Sequence, residues 1–345
     1  MRVLFGTFSA ITVLGGGVEV QMRALARELG LLGIEVELFD SWKKYDLGAF
    51  DLFHLFGSHV GTYHLGRAMK SLGMRLVVSP VFYSRQSPAR VTALVTVASR
   101  LRRRGGFWTE HMFCKELCEM AELVLPNTRE EMEMVSRAFG VPMSRMAELP
   151  NGVEDRFSRA SPDEFVTRYG SSGFLLYVGH VGWGRKNVLP LLRAAERLRV
   201  PTVVIGPVMD NDYARRCREV IDRCDFISLI PGLPPDSTLL ESAYAACDTL
   251  VLPSMYETPG LAALEAALAG AKVCITRYGG TREYFGEHAT YLDPRSEDSI
   301  AEAVAASLAK PRTDDLRVRV MQNYLWRSAG KALSETYNSF LHLHT

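Results

Sequence analysis

Short, wholly apolar runs alternate with longer segments whose apolar residues recur every three or four positions, and this rhythm holds along almost the whole chain. The run RVLFGT is followed by three glycines, Gly15 to Gly17, and then by VEVQMRALARELG and IEVELF. In the first of these two segments Val20, Met22, Leu25, Ala26 and Leu29 fall on one stripe, which predicts a helix lying on a sheet. The apolar runs on either side predict buried strands. DLFHLF and RLVVSP add two more strands, whereas the stretch from Arg85 to Glu122 has no strand pattern and predicts two helices. AELVLP then reads as a strand, and NTREEMEMVSRAFG as a helix capped by Asn127 or Thr128 and stopped near Gly140.

The alternation restarts at FLLYVG. It runs through NVLPLLRAAERL, PTVVIGP, DYARRCREVIDRC, FISLIPG, STLLESAYAAC and TLVLP to LAALEAALAG, and two helical stretches, Ser296 to Lys310 and Tyr324 to His342, finish the chain. Strand and helix in strict alternation predict an α/β fold of Rossmann-like, doubly wound parallel sheets. With 345 residues the chain exceeds one ordinary core, so two domains are expected, residues 1–160 and 161–320, with the boundary falling between Gly152 and Gly173.

Composition changes this picture little. Apolar residues at 47% and charged residues at 23% are ordinary globular values and exclude a disordered or fibrous class. A formal net charge of +1 gives no overall attraction to nucleic acid, so any affinity for an anionic surface has to be local. One local feature is the arginine cluster Arg100 to Arg104, followed by Gly105, Gly106, Phe107 and Trp108. It fits either contact with anionic lipid headgroups or a solvated, salt-bridged helix end. The opening MRVLFGTFSA reads as a strand and not as a leader, and no apolar run approaches the length of a membrane span. Six cysteines lie mostly in apolar or helical segments, which fits reduced thiols and a cytoplasmic protein, at most peripheral at the inner face of a membrane. His111, Cys114 and Cys118 share one helix face without a fourth ligand, so a buried face is expected there. Asp210, Asn211 and Asp212 spell a D-x-D, but they precede a helix, so Asp212 reads as its cap and no metal is expected.

Candidate chemistry concentrates in Thr249 to Gly270, a strand, a loop and a helix. Glu257 leaves the loop, and Glu265 lies roughly 7–8 Å along the helix from its start at Gly260, so both can face one ligand. Unpaired N–H groups at Gly260 and Leu261 suit a phosphate, and a diphosphate flanked by two carboxylates points to a nucleotide sugar. Upstream, Arg185 and Lys186 sit between the strand ending at Gly179 and the helix beginning at Asn187, again a phosphate position. The loop Gly15 to Gly17 is not G-x-G-x-x-G, which removes most support for a nicotinamide dehydrogenase. His54, inside an apolar strand, reads as a core residue, and His59 just past the strand end is the better site candidate.

Glu257 and Glu265, set in PSMYETPGLAALEAALAG and followed by GGTREYFGEHATYLDP, resemble the E-x7-E motif of the retaining glycosyltransferases of family 4, which have the GT-B fold. The spacing alone arises by chance, as Glu122 and Glu130 illustrate, and the context gives it weight. The resemblance implies two Rossmann-like domains facing a cleft, with a terminal segment, residues 321–345, whose Trp326 belongs to the helix that crosses back to the first domain. It implies a nucleotide-sugar donor on the second domain, with Glu265 on the ribose, Glu257 on the sugar, Gly260 and Leu261 on sugar hydroxyls or phosphate, and Lys186 on the diphosphate. His180 stands where the family has an arginine, so Arg185 is the alternative cation, and Leu233 would line the base pocket. In the first domain Gly15, Gly16 and Gly17 would lie near donor phosphate and acceptor, with His59 on the acceptor side, and Val81 replaces a family histidine. The acceptor would be a glycan or a lipid-linked sugar, with no cofactor beyond the donor. A glycosyltransferase-like binding subunit and a nucleotide-sugar epimerase are the alternatives.

Overall fold

Four- and five-residue apolar runs become strands because residues buried on both faces of a sheet need no polar alternation. The computed structural model describes residues 1–105 and 108–342. It divides into two units, Met1–Gly152 with Trp326–Thr345 and Val153–Leu325.

The first unit contains β1 (Arg2–Gly6), α1 (Ile11–Leu14), α2 (Gly17–Leu31), β2 (Glu35–Leu38), β3 (Leu52–Phe56), α3 (Val60–Ser71) and β4 (Leu76–Ser79). It continues through α4 (Pro88–Gly105), α5 (Glu110–Met120), β5 (Leu123–Val124) and α6 (Arg129–Phe139). Its strands form a parallel sheet in the order β2-β1-β3-β4-β5, with Val3 opposite both Val36 and Leu52. Thr128 caps α6 by accepting from Glu131 N, and left-handed Gly140 ends that helix. The one-turn α1 has no buried residue, and nothing in its sequence announces it.

The second unit contains α7 (Asp163–Tyr169), β6 (Leu175–Val178), α8 (Val188–Leu198), β7 (Thr202–Ile205), α9 (Asp212–Asp222), β8 (Ile227–Ile230) and α10 (Thr238–Ala246). It then runs through β9 (Thr249–Leu252), α11 (Leu261–Leu268), β10 (Lys272–Thr276), α12 (Thr281–Phe285), β11 (Thr290–Leu292), α13 (Glu297–Ala309) and α14 (Asp315–Asn323). The sheet order is β11-β10-β9-β6-β7-β8, all parallel. Asn211, not Asp212, caps α9: its side chain accepts from Ala214 N, while Asp212 is the first helical residue and pairs with Arg215. An Asn oxygen reaches the open N–H two or three residues on only from the non-helical position, which Asn211 occupies.

After the second unit the chain rejoins the first through α15 (Trp326–His342). Trp326 is buried against Gly152, where a Cβ would stand 2.6 Å from the Trp326 nitrogen, so only glycine fits. Further along α15, Tyr337 reaches His54 in β3: Tyr337 OH lies 2.6 Å from His54 Nδ1, and Ser79 Oγ lies 2.9 Å from Nε2. His54 is thus a satisfied core residue that ties two strands to the last helix.

Burial holds the His54 imidazole neutral, its pKa lowered to about 3. A histidine whose folded pKa lies below its unfolded value leaves stability complete above pH 6.5 and erodes it as pH falls toward 3. The erosion reaches about 2 kcal/mol at pH 5. Thermal midpoints measured from pH 7 to pH 5 are expected to fall more steeply for the native chain than for His54→Gln, and equal slopes would refute this account.

Candidate functional site

In an open parallel sheet, ligands bind beyond the carboxyl ends of the strands where the strand order reverses. In the second unit that point lies between β6 and β9, and the loops leaving these two strands carry Gly179 to Asn187 and Pro253 to Gly260. Topology thus brings together residues more than seventy positions apart.

Lys186 Nζ donates to Glu257 Oε1 at 2.7 Å, with both side chains largely buried. Beside it, Arg185 donates to the Tyr256 carbonyl at 3.2 Å and lies over the Tyr256 ring. Burial alone would raise the Glu257 carboxyl, but Lys186 and then Arg185 outweigh it and hold the group below the usual carboxylate range. The two loops are tied together: Met255 N donates to Arg185 O at 2.8 Å, and the Asn187 side chain donates through Nδ2 to the Pro253 carbonyl at 3.0 Å and, beyond the two loops, to the Pro294 carbonyl at 2.7 Å. Asn187 adopts the left-handed region, φ 54°, which Asn tolerates better than most residues.

Glu257 is also fixed from the far side. Its N–H donates to the Tyr278 carbonyl at 3.1 Å, and Gly279, at φ 91°, presses so close that a Cβ there would lie 2.0 Å from the Glu257 carbonyl oxygen. The paired glycines of GGTREYFGEH thus act as a backing for the Glu257 loop. Beyond that loop, Gly260 precedes α11 at φ 91° and, having no side chain, makes no cap hydrogen bond to the first N–H groups there.

Glu265, one turn into α11, stands apart from the Lys186 pair and accepts from Tyr244 OH at 2.6 Å. Burial raises the Glu265 carboxyl against the opposing Tyr244 hydrogen bond, and burial drives the Tyr244 phenol well above its ordinary value. Tyr244, on α10, escapes sequence reading because nothing near it in the chain marks it; only the fold sets it against Glu265. His180 follows β6 and stacks on Trp183 with centroids 4.2 Å apart, and burial followed by the charge of Lys186 lowers its pKa. Leu233 is half-buried in the loop between β8 and α10.

In the first unit the order reverses between β1 and β3, the strands preceding the Gly15–Gly17 loop and His59. Gly15 ends α1, Gly16 precedes α2 at φ 114°, and Gly17 begins that helix. His59 caps α3, its Nδ1 accepting from Gly61 N at 3.1 Å, and it meets the edge of Phe8. A cavity of about 740 Å³ opens near the ends of β1 and β2, lined by Phe8, Phe39 and Trp42 together with Glu19, Arg23 and Asp40. Val81 occupies the left-handed region, φ 50°, a costly backbone for a β-branched residue. The buried Glu131 carboxylate steadies this bend, accepting from Phe82 N at 2.6 Å and from Asn127 N at 2.8 Å. Among the described residues no group of three or more His, Cys, Asp or Glu side chains could hold a metal, and all six cysteines are buried and free.

Sequence and structure comparisons agree on the class to which this arrangement belongs. The whole chain superposes on sucrose-phosphate synthase from Thermosynechococcus elongatus with a TM-score of 0.77, covering 99% of this chain and 100% of that one at 17% identity. Anabaena HepE, solved with UDP and glucose, superposes with a TM-score of 0.69, covering 98% and 100% at 18% identity. The fold is therefore GT-B, two Rossmann-like parallel-sheet domains. Residues 173–310 match the family model of glycosyl transferases group 1. D-inositol 3-phosphate glycosyltransferase 2 of Catenulispora acidiphila is 27% identical over 65% of this chain and 57% of its own length. O-antigen chain mannosyltransferase B of Escherichia coli is 28% identical over 56% of this chain and 53% of its own. The chain thus spans about half the length of the curated relatives it matches.

Removing one partner of a buried ion pair strands the other charge, at a cost of about 3–5 kcal/mol. Lys186→Met is expected to lose stability on that scale in denaturant unfolding, with Lys186→Met/Glu257→Gln recovering most of it. Additive losses in the double variant would mean that the two groups do not pair. Gly279→Ala, forced against the Glu257 carbonyl, is expected to cost about 2 kcal/mol or more by the same measurement, and a neutral result would show that the Glu257 loop shifts freely.

Proposed function

We propose that the protein is a hexosyltransferase that moves a sugar from a nucleotide-sugar donor to a hydroxyl of a glycan or lipid-linked acceptor, with retention and without a metal. The observation that carries this reading is the grouping of Lys186, Arg185 and Glu257 beside the uncapped start of α11. Two cations and a helix N-terminus make an anion site, and the carboxylate next to it suits sugar hydroxyls.

In this reading a donor diphosphate draws Lys186 partly away from Glu257. As the glycosidic bond breaks, negative charge grows on the leaving phosphate oxygen, where Lys186, Arg185 and the N–H groups of Gly260 and Leu261 stabilise it. The leaving oxygen takes the acceptor proton on the same face, so no enzymatic nucleophile is needed. Glu257 holds the donor sugar. Glu265 receives the ribose hydroxyls on the carboxylate oxygen that Tyr244 leaves open, and Leu233 lies against the base. The acceptor belongs to the first unit, around Gly15 to Gly17 and His59, where the aromatic and carboxylate lining of the neighbouring cavity suits a hydroxylated ring. The transferase names of the relatives favour this reading over a binding subunit or an epimerase.

The UDP bound in the Anabaena structure makes uridine donors the first to test. A thermal-shift screen across UDP, GDP, ADP and dTDP sugars is expected to single out one base, with stabilisation of about 2.7 kcal/mol at a hundredfold excess over Kd. Glu265→Ala is expected to abolish that shift. With the donor so named and an acceptor found, Lys186→Met is expected to lower kcat by about 10²–10³. No shift with any nucleotide would overturn the donor site.

A further inference from the structure

From Val81 to Thr109 the chain carries six arginines and no acidic residue, in a protein whose formal net charge is only +1. Most of this segment is α4, whose surface has three sectors. Val91, Val95 and Ala98 are buried in the first unit, and Thr92, Thr96 and Ser99 make a polar arc. The third sector is apolar and faces water: Leu94, Val97 and Leu101, spaced three and four apart on one stripe, are 48%, 54% and 48% exposed. Arg90 lies one turn before this stripe and Arg100 flanks its far end; both are exposed, and neither has an ion-pair partner among the described residues.

Arg102 and Trp108 are engaged elsewhere. Arg102 pairs with Glu116 and lies over the Trp108 ring, which stacks on Phe113. Arg102 thus belongs to a salt-bridged helix end, separate from the exposed aliphatic stripe. Gly106, Phe107 and the side chains of Arg103 and Arg104 lie outside the described residues.

We propose that this face of α4 is a docking surface for an anionic lipid bilayer, with the helix lying in the plane of the interface. A water-facing aliphatic stripe edged by arginines and free of carboxylates matches a surface that is apolar just beneath a layer of negative headgroups. Leu94, Val97 and Leu101 enter the acyl boundary while the arginine stems reach back to the phosphates. A second copy of the chain is a poor occupant, because a two-fold contact here would set arginine against arginine. Nucleic acid is a poor one because it makes no use of three aliphatic side chains. The proposal is independent of the transferase reading, since binding is measured without donor or acceptor.

The test is flotation of the whole chain with vesicles of phosphatidylcholine alone and of phosphatidylcholine with about a third phosphatidylglycerol, at low and high salt. Binding is expected to the anionic vesicles only, and to fall with salt. Arg90→Gln with Arg100→Gln is expected to weaken it about fivefold per arginine, and Leu94→Glu with Val97→Glu to weaken it at least about tenfold, both with unchanged thermal midpoints. No binding, equal binding to both vesicles, or binding that neither variant alters would overturn the proposal. So would an oligonucleotide that binds as tightly as the vesicles and ignores the Leu94/Val97 change, or a dimer in solution that this change dissociates.

Discussion

Strands that all run one way leave their carboxyl ends, and the loops that follow them, on a single edge of the sheet. Where the strand order reverses, the loops part and open a crevice. Nearly every feature of the second unit follows from this constraint. The loops after β6 and β9 are neighbours because the two strands pair at Leu175 and Leu176, and so the cations of one meet the carboxylate of the other. Had a further strand lain between β6 and β9, Lys186 and Glu257 would stand a strand spacing further apart, about 5 Å, and no pair would form.

The crevice then has to be held in shape. A buried carboxylate needs a cation or a proton, and at Glu257 the cation prevails because Lys186 touches it and Arg185 stands close behind. At Glu265 burial prevails instead, over the Tyr244 hydrogen bond and the charge of Arg156, and raises the carboxyl. The two carboxylates of one loop and helix are therefore chemically unlike. One is an anion held by a lysine; the other is a carboxyl oriented by a tyrosine. This division of labour arises from environment alone, since the residue type is the same.

Charge is segregated in the first unit as well, but for a different use. There the arginines gather along a helix that also exposes aliphatic residues, and no carboxylate of its own segment neutralises them. Local charge of this kind is invisible in a net charge of +1. Among the described residues no helix is long and apolar enough to cross a membrane.

The succession of strands and helices was readable from the chain because burial on a sheet imposes its period on the residues themselves. So were the cap of α6, narrowed to Asn127 or Thr128, and the core role of His54, each marked by residues close in sequence. The cap of α9 was misassigned by one position, since Asn211 and Asp212 have equal propensity and only backbone geometry separates them. The partners Tyr244 and Gly279, the link from His54 to Tyr337, and the difference between the two glutamates came from the tertiary structure. Each depends on contacts between segments tens to hundreds of residues apart, and local sequence carries no trace of which distant backbone will be brought against it.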